Sequence, residues 1–482
     1  MDTQLINKFS ATRILCIGDA MLDRFVRGSI SRISPEAPIP VLHIKEEETA
    51  LGGAGNVVRN LEALGCTVTF ISIVGKDQSG SRIQELLNAS PKIKSHLMVD
   101  EKRETTTKTR FIASNQQVLR TDAERALALN QTQEIELLKL FKDHIQNHDL
   151  VILSDYAKGF FSPQGLAALI QEARTYEKPV LVDPKGHDYS RYKGATLLTP
   201  NRQELSHATL RSTQTHNEVV EAAQKIITMC DLKALITTRG PKGMSLVEAS
   251  GTVEHLPTTA LEIFDVSGAG DTVIATLGAA FAAGGSLSEA MHLANVAAGL
   301  VVAKVGTAVV HQDELLTALH HQELESHEKK IVGWQAAQDI TQKWKRRGHR
   351  VVFTNGCFDL LHPGHVSLLA AARKAGDRLI VGLNTDISVS RYKGPARPIQ
   401  PEVARALVLA SLASVDLVVL FGQDFPLELI EALKPDVLVK GADYTIDKVS
   451  GASFVQSYGG EVLLIDLVKG QSTTGIVSRI GK

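Results

Sequence analysis

Two stretches of this sequence set side by side residue types that could do chemistry on a phosphate. In DVSGAGDTVIATLGAAFAAGG, Asp265 to Gly285, a turn of small residues runs straight into a long apolar helix, and Asp271 stands where that helix starts. Gly268, Ala269 and Gly270 let backbone N–H groups approach an anion closely, and the positive end of the helix dipole favours negative charge there. A phosphate docked on the turn would lie beside the Asp271 carboxylate, which could take the proton of an attacking hydroxyl. The competing reading makes Asp271 only an N-cap for orphan N–H groups, and an isolated GxGD does not choose between them. In GCFDLLHPGH, Gly356 to His365, His362 and His365 share one face of a helix start, with Gly364 between them clearing space. Imidazoles and helix dipole then point at one anion. A metal is the alternative, but HPGH lacks the Glu of H-E-x-x-H and a nearby third ligand.

The elements around the first stretch read as a parallel sheet. Arg13 to Ile17 is a short apolar strand that delivers Asp19 and Asp23 into a loop, where they could bond sugar hydroxyls or merely cap turns. Pro35, Pro38 and Pro40 keep Gly28 to Ile44 extended, as edge structure. Gly52 and Gly53 then open a helix, Val57 to Leu64, where backbone could pass close to a polyol and Asn56 offers both a donor and an acceptor. The alternating stretch Thr105 to Arg120 carries Lys108, Arg110 and Arg120, which are substrate-phosphate candidates or a solvated face. From Gln131 onward helices and strands alternate to Thr238, which means a parallel sheet covered on both faces. Polar groups gather after the strand ends: Asp155 with Lys158, Asp183 with Lys185, Asn201 with Glu204, and Arg239 to Gly243. Several at one sheet edge suggest a ligand crevice.

The stretch His311 to Lys330 is charged and free of glycine and proline, which predicts an exposed helical connector. A second, smaller α/β unit follows. Its strand Arg350 to Thr354 feeds the two-histidine helix, and a later strand ends in Asn384 and a basic loop, Arg391 to Pro398. Near the end, Ser472, Thr473 and Thr474 begin a helix that could cradle a phosphate or simply be capped. Domains are therefore expected at 1–318 and 346–482, joined by a connector over 319–345.

Composition narrows the classes. The chain has 482 residues with 52 Lys+Arg against 53 Asp+Glu, so no net charge draws it to nucleic acid or to an anionic membrane. Four scattered cysteines without a C-x-x-C pair, no apolar leader and no long apolar run fit a cytoplasmic protein.

With both glycine-rich signatures in place about 200 residues apart, LGGAGNVVRNLEALG and DVSGAGDTVIA, the first half resembles the ribokinase-like carbohydrate kinases. The resemblance implies a doubly wound sheet with a small β lid, Asp271 as base and Gly268 to Gly270 as anion hole. It puts Asp19, Asp23, Gly52, Gly53 and Asn56 at the sugar and Asn201, Arg202, Gln203 and Glu204 near the nucleotide phosphates and Mg2+. Arg239, Gly240, Gly243 and Asn295 would lie at the adenosine. Such kinases also hold a monovalent cation, K+, around the positions of Asp265 and Val302 to Thr307. The second half, through GCFDLLHPGH, RYKGPARP and STTGI, resembles the cytidylyltransferase-like nucleotidyltransferases, with a Rossmann-like α/β domain. That resemblance implies His362 and His365 as catalytic groups, with Gly356, Phe358, Asp359, Lys393, Arg397 and Ser472 to Thr474 around the nucleotide. The order and extent of both halves resemble the family of bifunctional heptose 7-phosphate kinases and heptose 1-phosphate adenylyltransferases of lipopolysaccharide synthesis. Sugar phosphates and ATP are then the expected ligands of both halves, a homodimer the expected assembly, and no metal ligand is assigned. Another sugar kinase fused to a cytidylyltransferase, or a nucleotide-binding regulator, keeps the same motifs.

Overall fold

The computed structural model describes residues 2–113, 116–259, 263–304, 306–442 and 445–466. The chain divides into two compact units, Met1–Leu319 and His320–Lys482. Among the described residues no helix is long and apolar enough to cross a membrane.

The first unit is built on a nine-stranded sheet. In spatial order its strands are Val253–Leu256, Met244–Glu248, Ala234–Thr238, Leu197–Leu198, Val180–Asp183, Leu150–Ser154, Arg13–Gly18, Thr67–Gly75 and Ile93–Asp100. The seven from Ala234 to Asp100 pair in parallel, and the first two form an antiparallel hairpin at one edge. Parallel strands need apolar residues on both faces, and Arg13–Gly18 supplies them by alternation. Ile14 and Cys16 point into one core, with the helices Ala54–Ala63, Ala269–Ala282 and Leu287–Val302. Leu15 and Ile17 point into the other, with Gln131–Ile145, Pro163–Thr175 and His216–Cys230. Gly18 ends the strand where a Cβ would lie 2.1 Å from the Ser154 carbonyl oxygen. A separate four-stranded sheet, ordered Pro40–Gly53, Ala20–Ile33, Thr107–Ala113 and Gln116–Ala123, forms the lid. The proline-rich stretch thus becomes the turn between two 14-residue strands, with the second at the sheet edge as expected.

The helix Ala269–Ala282 is buried all round from Asp271 to Ala280, so its polar side chains must be satisfied internally. Thr276 Oγ1 donates to the Thr272 carbonyl at 2.8 Å, and Thr272 Oγ1 donates to Asn60 Oδ1 at 2.8 Å. Asn60 Nδ2 in turn donates to the Asn56 carbonyl at 2.9 Å. This chain locks the two glycine-rich helix starts together.

The second unit is an all-parallel five-stranded sheet ordered Leu417–Phe421, Arg378–Asn384, Val351–Gly356, Val437–Gly441 and Glu461–Ile465. Two readings of the sequence change here. The expected connector does not extend to residue 345: the helix Trp334–Arg346 packs Trp334, Ala337, Ile340 and Trp344 against the core, and Trp334 Nε1 donates to the Leu420 carbonyl at 2.7 Å. Ile331 already bridges Val418, while Leu315 and Leu319 of the helix Gln312–Glu328 belong to the first core. Trp334, Ala337, Ile340 and Trp344 recur at three- and four-residue spacing, the signal of an apolar helix face that the reading of an exposed connector passed over. The expected basic loop begins as the helix Asp386–Lys393, which Thr385 caps through Ser388 N–H, so Lys393 ends a helix and Arg397 alone lies in the loop. Ser472, Thr473 and Thr474 lie outside the described residues.

Candidate active sites

In the first unit the chain leaves Arg13–Gly18 toward Thr67–Gly75 on one side and toward Leu150–Ser154 on the other, and open α/β sheets bind ligands at such a reversal. Asp19 emerges there, 4% exposed. Its carboxylate accepts from the N–H groups of Tyr156 (2.8 Å), Lys158 (3.3 Å) and Phe160 (3.3 Å). Burial pushes it up to about 6 despite those three donors. Asp23 is held by Arg110 at 2.6 Å in a buried ion pair. Gly52 is required beside it, because a Cβ there would lie 2.6 Å from Asp23 Oδ2. Gly53 turns the chain into the helix with φ 57°, a value that strains any other residue.

Asp271, also 4% exposed, is the third residue of its helix. Oδ2 accepts from Asn56 Nδ2 at 2.7 Å and Oδ1 from the Tyr156 hydroxyl at 2.5 Å. Burial raises its pKa to about 6, against the pull of those two donors. Asn56 is fully buried, yet its Oδ1 has no partner among the described residues, so it stands as an open acceptor next to the carboxylate. Gly268 caps the helix at φ 80°, and a Cβ there would lie 2.7 Å from Asn56 Nδ2. Of the expected anion hole, the Ala269 N–H is engaged by the Val266 carbonyl at 3.2 Å. The Gly268 and Gly270 N–H groups make no backbone hydrogen bond among the described residues, and Gly270 faces open space.

The residues expected around the nucleotide fall into two groups. Asn201 caps the helix Arg202–Thr209 in a reciprocal box with Glu204, and Glu204 Oε1 also accepts from Lys185 Nζ at 2.6 Å. Arg202 reaches Gln214 and Gln203 is exposed. Arg239, 6% exposed, donates to the Lys242 carbonyl but keeps a buried Nε without partner. Gly243, at φ 79°, packs where a Cβ would lie 2.0 Å from the Leu256 carbonyl oxygen, and Asn295 Nδ2 donates to Pro257 next to it. Asp183 lies within electrostatic reach of both Asp271 and Glu204. Burial and the charges of Asp271 and Glu204 push its carboxyl well above the ordinary range.

Sequence reasoning passed over Tyr156, choosing its neighbours instead. Asp155 is consumed by the Tyr192 hydroxyl (2.7 Å) and the Ala157 N–H (2.8 Å), and Lys158 pairs with Glu124 at 2.6 Å. Of the three basic candidates on the lid, Arg110 is taken by Asp23 and Arg120 by Asp122. Lys108 forms no ion pair among the described residues and lies 5.8 Å from the Tyr156 ring centroid.

In the second unit Val351–Gly356 is likewise the strand where the sheet order reverses. Phe358 turns back at φ 43° into the core and meets the His365 ring edge-on at 5.2 Å. His362 is the N-cap of the helix Pro363–Lys374, and its ring stacks on His365 at 3.8 Å and 21°. The Nδ1 atoms of both are buried without partners among the described residues. Burial, then the neighbouring His362, lowers His365 to about 4, and burial lowers His362 as well, so both rings are neutral at pH 7. Asp359, expected around the nucleotide, is held from within the chain. Its Oδ1 accepts from Ile399 N–H (2.7 Å) and Gln400 N–H (3.0 Å), and its Oδ2 pairs with Arg397 at 2.5 Å. It anchors the basic loop beside the histidine turn. Arg405, its side chain fully buried, completes the anchoring through the Cys357 and Gln400 carbonyls and Asp386.

Residues 11–313 match the pfkB family carbohydrate kinase model, and residues 353–470 match the cytidylyltransferase-like model. The bifunctional protein HldE of Paramagnetospirillum magneticum is 54% identical over 475 residues, covering 98% of this chain and 97% of the relative. That of Rhodospirillum rubrum is 52% identical over 477 residues, covering 99% and 96%. Among solved structures, Escherichia coli phosphofructokinase-2 with substrates and products shares the fold at TM-score 0.56 and 20% identity, covering 64% of this chain and 99% of its own. Arabidopsis thaliana ribokinase with ribose and ATP does so at 0.51 and 20%, covering 64% and 98%.

Proposed function

We propose that this chain, which belongs to the family of bifunctional HldE proteins and joins a pfkB-family carbohydrate kinase to a cytidylyltransferase-like unit, makes an activated heptose in two separate reactions. The first unit transfers the γ-phosphoryl group of ATP to the C1 hydroxyl of D-glycero-D-manno-heptose 7-phosphate. The second transfers AMP from ATP to heptose 1-phosphate, giving ADP-heptose and pyrophosphate for the lipopolysaccharide core. The observation that carries the kinase half is the buried Asp271 carboxylate at a helix N-terminus, with the open acceptor of Asn56 alongside.

In this reading the sugar lies against Asp19, Asp23, Gly52, Gly53 and Asn56, and its C1 hydroxyl gives its proton to Asp271 as the phosphoryl group passes across the helix N-terminus. Gly268 and Gly270 supply the free N–H groups of the anion hole, with Ala269 packed in the turn. Asn201 to Glu204 face the phosphates, and Arg239 to Gly243 with Asn295 frame the adenosine. Mg2+ would arrive with ATP, with Glu204 facing it. Bound Mg2+ would supply charge neutralisation on the phosphates. A monovalent cation, K+, is assigned around Asp265 and residues 302–307. Potassium is present in one solved form of E. coli phosphofructokinase-2. In the second unit, His362 and His365 donate to the α-phosphate during in-line attack by the sugar phosphate, with Gly356 and Phe358 shaping the turn. Lys393 and Arg397 meet the other phosphates, and Ser472 to Thr474 complete that side.

The protein works in the cytoplasm as a homodimer in this reading. Ile33, Ile44, Val118 and Leu119 each stand exposed on the lid, apolar surface that association would remove from water. Mass analysis of products tests the assignment: ATP with heptose 7-phosphate yields a bisphosphate, and ATP with heptose 1-phosphate yields ADP-heptose. Absence of either product from a folded chain refutes that half.

The two activities are expected to survive separation. Each unit has its own sheet and cores, and the kinase product is a bisphosphate whereas the second unit takes a 1-phosphate, so the intermediate must leave for a phosphatase. The cut belongs between Glu328 and Lys329, which keeps Leu315 and Leu319 in the first core and the Lys330 carbonyl on Val418 in the second. Fragments 1–328 and 329–482 should each run at near the full-chain rate. A folded fragment that works only when the other is added would overturn this independence.

A further inference from the structure

We infer that Tyr156 is a positioning residue for phosphoryl transfer: its hydroxyl donates to Asp271 Oδ1 and keeps that carboxylate ionised and aimed until the sugar hydroxyl arrives. The inference rests on Asp271 being the base. It goes beyond it in assigning the tuning of that base to the loop after Leu150–Ser154, which carries neither glycine-rich signature.

The loop is built to hold this one side chain. Its backbone is tied to Asp19 through the Tyr156, Lys158 and Phe160 N–H groups. Ala157 sits at φ 57° and Gly159 at φ 90°, where a Cβ would lie 2.4 Å from the Leu127 carbonyl oxygen. Left-handed backbone at a non-glycine residue persists where the surroundings enforce it. Arg103, 8% exposed, provides that enforcement by donating to the Lys158 and Leu127 carbonyls. Asp19 therefore grips the loop that carries Tyr156, and the tyrosine grips Asp271.

The hydroxyl keeps its proton and donates a hydrogen bond to the carboxylate, since burial and then Asp271 push its ionisation well above the ordinary range. A donor on a carboxylate favours the charged form. Asp271 needs that help: desolvation and Asp23 oppose its charge, and its own charge in turn weighs on Asp183 and Cys16. Tyr156, Asn56 and Lys108 favour it, together with the helix N-terminus. A base protonated at working pH accepts nothing. Losing Tyr156 should thus move the acid limb of the kinase upward in pH without altering the chemistry above it.

The test compares kcat/KM for heptose 7-phosphate from pH 5 to 9 in the full-length wild type and Tyr156→Phe. The substrate phosphates titrate alike with both chains, so the difference between profiles belongs to the protein. The limb of Tyr156→Phe should lie about one pH unit higher, leaving about a tenfold smaller fraction of its own plateau rate well below the limb. Pyrophosphate release by the second unit should be unchanged, and the kinase plateau above the limb reports folding of the first unit. Replacing Tyr156 by 3-fluorotyrosine, a stronger donor of nearly the same shape, should move the limb down, a reversal that a packing role cannot produce. Limbs that coincide in all three proteins overturn the inference. Asp271→Asn is run alongside: an active Asp271→Asn refutes the base itself, whereas an inactive one with unmoved tyrosine profiles refutes only the role of Tyr156.

Discussion

Asp271→Asn is expected to lower sugar-dependent ADP formation by about 10² to 10⁴ while leaving adenylyl transfer untouched. The amide keeps the local bonding. Its Oδ1 can accept from Asn56 Nδ2, and its Nδ2 can donate to the Tyr156 oxygen, so the contacts at 2.7 and 2.5 Å persist with one donor reversed. What is lost is the proton acceptor. The same substitution should raise stability, and the sign follows from burial. With a folded pKa of about 6 against an ordinary 3.8, the native state binds the extra proton between those values, so the wild type loses stability as pH rises through that window. Asn has no such loss. Above pH 6 the variant should unfold a few degrees higher, by an amount on the order of 2 to 3 kcal/mol at most, with the gap closing below about pH 4. Thermal melts of fragment 1–328 across pH measure this. ADP formation near the wild-type rate would remove Asp271 from the chemistry, and a variant less stable at every pH would show that the charge carries no cost.

Much of this was legible in the sequence because it depends on local rules. Asp271 and the histidine pair stand at helix starts, where glycine, small residues and the switch from strand to helical periodicity mark the position without tertiary information. The parallel sheet followed from alternating strands and helices. Tyr156 was not legible, because a tyrosine beside an aspartate after a strand carries no spacing signal, and its partner lies 115 residues away. Asp155 and Lys158 looked better on composition and proved to be bonded to Tyr192 and Glu124. Asp359 shows the same limit. Its place in GCFD suggested the nucleotide, but a buried carboxylate needs donors, and the Ile399 and Gln400 N–H groups provide them from some 40 residues on, with the Arg397 charge paired alongside.

Both units place their reactive groups at the strand where the sheet order reverses, yet they solve opposite electrostatic problems. The kinase must keep a buried carboxylate charged, so it surrounds Asp271 with donors. The second unit, in the proposed reaction, must admit a polyphosphate, and it presents two neutral imidazoles whose Nδ1 atoms are unpartnered among the described residues. In both, desolvation at a helix start sets the protonation state of the group.

The consequence for the second unit is that His365→Ala should cut pyrophosphate release by about 10² to 10³, with kcat falling far more than KM for ATP rises. A donor aimed at charge that develops in the transition state contributes little to ground-state binding, and Lys393 and Arg397 remain to hold the phosphates. The kinase rate of the same chain should not change, since Asp271 belongs to the other compact unit. Stability should respond in the opposite sense to pH from the aspartate variant. The folded pKa of His365 is depressed to about 4, so between there and the ordinary 6.5 the unfolded chain binds more protons and the wild type weakens as pH falls. His365→Ala lacks that loss, so melts of fragment 329–482 should show the two proteins converging toward acid pH. If pyrophosphate release persists near the wild-type rate, His365 is not catalytic. If instead one zinc per chain is found and vanishes with the mutation, the stacked pair at 3.8 Å is a metal site and the donor mechanism fails.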